Sequence, residues 1–276
     1  MENSQATSSL KKLPRLKPRS GTRVMAIAIR ALFLRELQTR FGQYRLGYLW
    51  IILEPIFSIG ILFVLFGTIM QKTLPNISYE VFLLNGIVPF FMFRSGISQA
   101  LGVAEANKGL FSYKPVKPIS ALLARSFLEL FLSFTAYIFF AAVFLWLGSE
   151  ISFEAIPTLL AYWVLLFLFM VACSLIFMVV GDFSKEVNKV ISILFLILYF
   201  LSAIIFSIHI IPAQYREYLL YNPLIHIFEP MHHAVAPSYP LVDGISLSYV
   251  LCWIGVSLLL GLLLYKRFER RMLKSK

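Results

Sequence analysis

Cysteine is nearly missing from this chain of 276 residues: there are two, Cys173 and Cys252, both inside apolar runs. That excludes a disulfide scaffold and makes a thiolate metal site improbable. Acidic residues are scarce as well, 14 against 25 Lys and Arg. No polar stretch is long enough to hold an independent soluble core, the longest gaps between apolar runs being 1–46 and about 212–246. A phosphate-binding loop is also absent. Gly42 and Gly47 have its glycine spacing, but Tyr48 stands where the lysine is required, so this chain is not expected to hydrolyse nucleotide itself. Neither a G-x-S-x-G elbow nor a catalytic Cys–His pairing is found. Met1–Gly21 lacks an apolar h-region, so no cleaved signal is expected there. Its Pro14, Pro18 and Gly21 among Ser and Lys read as disordered. There is no internal repeat.

What the chain does have is apolar length. The hydrophobic fraction is 59% and the mean hydropathy +0.79. Six segments, about 47–70, 79–102, 119–147, 156–180, 190–211 and 247–265, are each long enough to cross a hydrocarbon core of roughly 30 Å. The cations are sorted around them. Of the 25 Lys and Arg, 22 fall on one side: ten before residue 46, four from Lys108 to Arg125, Lys185 and Lys189, and six in the tail. Lys72 and Arg216 lie opposite, and Arg94 lies inside the second segment. The positive-inside rule then predicts cytoplasmic termini and an even number of spans. A net charge of +11 raises the question of nucleic acid. Its placement beside spans answers it in favour of anionic lipid headgroups.

Between the spans four stretches carry content. Residues 22–41 run without Pro or Gly, and Leu34, Leu37 and Phe41 share a face opposite Arg35, Glu36, Thr39 and Arg40. This predicts an interfacial helix, a simple basic anchor being the alternative. Tyr44, Tyr48 and Trp50 suit the headgroup level, and Pro55 is placed to kink the first span. The 103–118 loop reads as a short helical turn stopped by Pro115 and Pro118, either a docking element or a tight connector. Ala213–Tyr221 and Leu224–Ala236 read as two short amphipathic helices divided by Asn222-Pro223. Too short to span, they are expected to lie on or dip into the outer leaflet.

Ionisable residues inside the bilayer need a partner or a wet cavity. Glu54, Arg94 and Glu129 each sit about 10–15 Å deep, counted at 1.5 Å per residue. They either form one ion network or line a hydrated path, unless Arg125 and Glu129 pair locally at i,i+4. His226, His232 and His233 do not have the spacing of a recognised zinc pattern, which leaves a protonation-sensitive helix or plain surface histidines.

Several stretches together resemble the membrane subunit of capsular polysaccharide exporters of the ATP-binding-cassette type, close to those serving Kdo-linked capsules. They are Leu32–Glu36, Thr39–Gly42, Arg45–Trp50, Leu53-Glu54-Pro55, Val81–Gly86, Glu105-Ala106-Asn107, Gly109-Leu110-Phe111, Pro115–Pro118, Ile176–Gly181 and Tyr221–Leu224. The resemblance runs from about residue 22 to the tail. It implies an all-α integral membrane protein, the type-2 ABC exporter transmembrane domain, over 22–265. Within it would lie six transmembrane helices, an interfacial helix at 22–41, a coupling helix at about 103–115 and periplasmic or re-entrant helices at about 212–236. A disordered N-terminus (1–21) and a basic cytoplasmic tail (266–276) would flank it. It also implies a homodimer in a Gram-negative inner membrane, with two copies of a separate ATPase subunit that bind ATP and Mg. A periplasmic co-polymerase or adaptor and an outer-membrane channel would receive a lipid-linked glycan.

The residues expected along the glycolipid's path are Arg40, Tyr44, Arg45, Trp50, Glu54, Arg94 and Glu129. Glu105, Asn107, Lys108, Leu110, Phe111, Tyr113 and Lys114 are expected to meet the ATPase, and Tyr215, Tyr218, Tyr221 and His226 to form a periplasmic gate. No cofactor or metal is expected in this chain, and no nucleic acid partner. Export of O-antigen or teichoic-acid polymers by the same architecture is an alternative. A membrane enzyme acting on lipid-linked sugars through His226, Glu229, His232 and His233 is another, though it lacks a paired-acid or metal constellation.

Overall fold

The computed structural model describes residues 20–41, 49–71, 74–112, 116–152, 154, 156–184 and 186–273. Among these there are helices and no strand. They run α1 (Gly21–Phe41), α2 (Trp50–Met70), α3 (Tyr79–Ala100), α4 (Val103–Ala106) and α5 (Pro118–Trp146). Then come α6 (Ile156–Phe183), α7 (Val187–Leu201), α8 (Ala213–Leu219), α9 (Ile225–Val235) and α10 (Leu247–Leu273). Tight 3₁₀ turns occupy Lys108–Ser112 and Ile208–Ile210.

Among the described residues four helices, α3, α5, α6 and α10, are long and apolar enough to cross a membrane. Their limits follow local chemistry. Pro118 opens α5 at its first turn, where a missing N–H costs nothing. α10 continues through Lys266–Leu273, where no Gly or Pro falls, so these residues, expected as part of a basic tail, extend the last span's helix. The fifth apolar run behaves differently. Expected as one span over 190–211, it is helical only to Leu201, and Ala203 then turns with φ 53°. Asn222 Nδ2 caps that break, donating to the Leu201 carbonyl at 3.2 Å and to Ser202 Oγ at 2.9 Å. The side chain satisfies an end carbonyl that continued helix would otherwise have used.

α3 is the axis of the bundle. Nearly every face of it is buried, against α5 and α6 on one side and α2, α7 and α9 on others. Its Asn85 is kept polar and satisfied, donating to the Val81 carbonyl (2.8 Å) and accepting from Tyr137 Oη (2.8 Å). In lipid, helices associate by close packing and interhelical hydrogen bonds, not by escape from water. The most extensive pair, α6 with α10, shows how. A Cβ at Gly261 would meet Leu175 Cβ at 2.7 Å and the Ala172 carbonyl at 3.2 Å, so the backbones approach to a distance only glycine allows. Arg271 of α10 adds an ion pair to Asp182 of α6 (3.2 Å) and lies over the Phe183 ring at 3.8 Å.

The two short helices that follow differ in burial: Ile225–Val235 of α9 is buried almost throughout, wedged against α6 and α3, whereas α8 has no buried residue. The outward faces of α2 and α7 remain apolar and uncovered, as at Val64, Leu65, Ile193 and Leu196.

Candidate functional site

The clearest polar construction lies at the end of the bundle that carries α1 and the close of α10. α1 packs Leu32 into a cluster with Ala100, Val103, Phe111 and Tyr265, while Phe33 and Leu37 meet Leu128 and Leu132 of α5. This face overlaps only in part with the one the apolar spacing suggested: Leu37 belongs to both. Leu34 is exposed, and Arg35 and Glu36, expected to point away, are turned toward the bundle.

They turn inward because partners wait for them. Glu36 Oε1 accepts from Arg35 Nη2 at 2.8 Å and pairs with Arg125 Nη2 at 3.2 Å. Arg35 Nη2 also donates to Asn107 Oδ1 at 2.5 Å. Asn107 is fully buried and donates from Nδ2 to the Val103 carbonyl (2.9 Å), which ties the end of α4 back on itself. Arg125 Nη1 reaches the Gln99 carbonyl at the close of α3 (3.3 Å), where helix carbonyls lack intrahelical partners. Beside this group, Glu129 of α5 receives both Arg40 and the Gln99 side-chain amide. One network therefore joins α1, α3, α4 and α5.

Of the expected path residues, Arg40 and Glu129 come together and Arg94 does not join them. Arg94 and Glu129 do not pair with one another, and Arg125 turns to Glu36 instead of its i,i+4 neighbour Glu129. Arg94 is exposed in a separate groove between α2, α3 and α7. Trp50 and Glu54 fall within the first two turns of α2, their side chains lying outside the described residues, as do Tyr44 and Arg45 entirely. Arg35, Glu36, Gln99 and Arg125 were missed as members of the network. Each of its ion pairs and of its hydrogen bonds to Asn107 and Gln99, apart from the Arg35–Glu36 neighbours, joins residues that are far apart in the chain.

The segment expected to couple to an ATPase divides into two faces. Asn107 and Phe111 point into the chain, Phe111 sharing the cluster of Leu32 and Tyr265. Glu105, Ala106 and Gly109 are exposed, with Lys108 and Leu110 half-buried beside them. Tyr113 and Lys114 lie outside the described residues.

At the opposite end Tyr215, Tyr218 and Tyr221 are all exposed, the last two by more than 70%. His226 is not. It is buried, with Nδ1 accepting from the Ser246 N–H (3.0 Å), so its Nε2 carries the proton donated to the Leu220 carbonyl (2.7 Å). It pins α9 to the start of α10. His233 Nδ1 bonds the Tyr239 carbonyl (2.7 Å), and His232 stacks under Phe82 at 4.2 Å. Burial lowers the His232 pKa to about 3, so its ring is neutral. Glu229 is sealed beside Tyr239, whose hydroxyl donates to both its oxygens (3.2 and 3.3 Å) and is itself 2.8 Å from Ser207 Oγ. Burial raises the Glu229 carboxyl to about 8, which favours its neutral form. Glu229 and His232 are thus sealed inside the fold, whereas His226 lines an open groove with Tyr221 and Tyr249. Among the described residues no three His, Cys, Asp or Glu side chains gather as a metal-binding group.

Residues 27–235 match the family model described as ABC-2 type transporter. The chain is 46% identical over 257 residues to the polysialic acid transport protein KpsM of Escherichia coli, covering 93% of this chain and 99% of the relative. It is 26% identical over 242 residues to the capsule polysaccharide export inner-membrane protein BexB of Haemophilus influenzae, covering 88% and 91%. With the O-antigen export system permease protein RfbA of Klebsiella pneumoniae the identity is 28% over 194 residues, covering 69% and 73%.

Proposed function

Because the chain belongs to the ABC-2 type transporter family, we propose that it is the inner-membrane permease of an exporter for lipid-linked, acidic capsular polysaccharide, driven by a separate ATPase. The observation that carries this reading is the end-to-end similarity to a polysialic acid transport protein, far closer than to the O-antigen permease. Capsule export is therefore preferred to O-antigen export. The sealing of Glu229 and His232 argues against a membrane enzyme built on them.

On this reading two copies pair in a Gram-negative inner membrane, each with six spans formed by α2, α3, α5, α6, α7 and α10. The asymmetry of the cations supports a cytoplasmic position for both termini. ATP and Mg belong to the ATPase partner. That partner docks on the exposed side of the 103–112 segment, through Glu105, Lys108 and Leu110, with Phe111 and Asn107 anchoring the segment from within. Movement of the segment reaches the spans through Asn107, Arg35 and Arg125. Tyr215, Tyr218 and Tyr221 face the periplasm, where an adaptor and an outer-membrane channel take over the glycan. The test is complementation of a capsule-export mutant by the chain with its ATPase, scored by surface polysaccharide and by copurification of the ATPase. Restored capsule is the expected result. A chain that restores none, or that works without an ATPase, overturns the proposal. Leu110→Asp should lose the ATPase from the purified complex while leaving membrane insertion intact.

A further inference from the structure

Arg94 and Glu129 are both counted about 10–15 Å into their apolar segments, yet of the two Glu129 alone has ion-pair and hydrogen-bond partners among the described residues. Arg94 sits in α3 six residues before Ala100, about 9 Å along the helix axis. Its side chain is exposed, and it has no hydrogen bond or ion pair among the described residues. The groove around it has a volume of about 490 Å³. Its walls are Leu62 of α2, Phe90 and Phe91 of α3, and Ser192, Phe195 and Tyr199 of α7. The rings form a connected aromatic wall: Phe90 is 5.2 Å from Tyr199 and 6.3 Å from Phe195, and Phe91 is 6.5 Å from Tyr199.

A guanidinium held at this depth against apolar side chains is costly unless water or an anion meets it. Its planar fork matches a carboxylate or a phosphate better than any other ligand. Aromatic faces beside it offer flat apolar surfaces to sugar C–H groups, and the Tyr199 and Ser192 hydroxyls supply hydrogen-bonding partners. We propose that this groove is an anion-binding station on the export path, where Arg94 takes the acidic groups of the passing polymer while the Phe91–Tyr199 wall carries its sugar rings. The inference rests on the reading of the chain as a polysaccharide permease. It assigns to Arg94 the selection of acidic over neutral polymers.

The experiment uses the complete transporter, this chain with its ATPase, in vesicles of phosphatidylcholine. Stimulation of ATP hydrolysis is titrated with polysialic acid and with the same polymer after reduction of its carboxylates to alcohols. The wild type should need roughly ten- to a hundredfold less of the acidic polymer, the worth of one charge-assisted hydrogen bond. Arg94→Gln should abolish that difference, and Arg94→Lys should retain part of it. Copurification of the ATPase with each variant, and a monodisperse elution, identify variants that fold. Equal discrimination by wild type and Arg94→Gln overturns the proposal. So does discrimination that requires phosphatidylglycerol in the vesicles, which would make a lipid headgroup the ligand. Restoration of Arg94→Gln by Glu54→Gln would make Arg94 a structural counter-ion and overturn it equally. If the wild type responds to neither polymer and restores no capsule, the functional reading itself fails. If it restores capsule and Arg94→Gln does so equally, only the role of Arg94 falls.

Discussion

Replacing Glu129 with Gln tests whether the α1–α5 junction is held by charge. Glu129 is 3% exposed and receives both the Arg40 guanidinium and the Gln99 amide. Removing one partner of a fully buried ion pair costs about 3–5 kcal/mol. Here the Arg40 side chain is 36% exposed and can turn to water, so much of that penalty is recovered. What remains is one charge-assisted hydrogen bond, about 1.5–3 kcal/mol, of which a Gln at this position keeps a part. The expected loss is therefore about 1–2 kcal/mol for Glu129→Gln. For Glu129→Ala it is larger, because the Gln99 amide then loses its acceptor as well. The assay is heat survival of the detergent-purified complex, followed by size-exclusion chromatography, over the cycle Glu129→Gln, Arg40→Gln and the double variant. The double variant should lose less than the sum of the singles, by about 1 kcal/mol. Strict additivity would refute it, since the two side chains would then not act on one another.

Three other outcomes follow from the packing and the buried polar groups. Gly181→Ala should destabilise by about 1–3 kcal/mol, because its Cβ would strike the Leu101 backbone (Cα at 2.7 Å), which cannot give way as a flexible side chain can; heat survival of the purified complex measures it. Asn107→Leu should loosen α4 from α1 by leaving Arg35 without its amide acceptor, read as faster protease cleavage within 103–112. Glu229 is raised to about 8 from an ordinary 4.5, so its contribution is fully present below pH 4.5 and is lost as pH rises through about 8. Glu229→Gln should therefore flatten the fall in heat survival across that window and leave survival unchanged or higher at its alkaline end. A steeper fall in the variant would contradict the assignment.

Much of the fold was legible because apolar length is a local property. α3, α5 and α6 begin and end within three residues of the runs read from the chain, and α1 lies within one residue of the expected 22–41. What was not legible depended on partners far away in sequence. The apolar spacing Leu34–Leu37–Phe41 is a fair guide to a helix resting on lipid, but α1 rests on protein, and there an arginine and a glutamate can face inward if an amide and a second arginine meet them. Asn107 lies 72 residues from Arg35, and Glu129 lies 89 from Arg40, separations that no window of the sequence spans. The shortening of α7 has the same origin, since the residue that caps it, Asn222, lies 21 residues beyond the carbonyl it satisfies.

The intramembrane charges show how far such reading extends. Depth along a helix can be counted, and it put Glu54, Arg94 and Glu129 at one level; azimuth around the helix cannot be counted without knowing what packs there. α5 turns Glu129 toward α1 and the end of α3, where Arg40 and Gln99 complete it, and α3 turns Arg94 the opposite way, onto the groove shared with α2 and α7. An ionisable group that the fold satisfies is a structural joint, and its removal should register first in stability. One that the fold leaves open at membrane depth must meet water or a ligand, and its removal should register first in what the protein transports. The two residues thus make opposite predictions from the same starting cost. A stability assay and a polymer titration run on both variants separate the joint from the binding station.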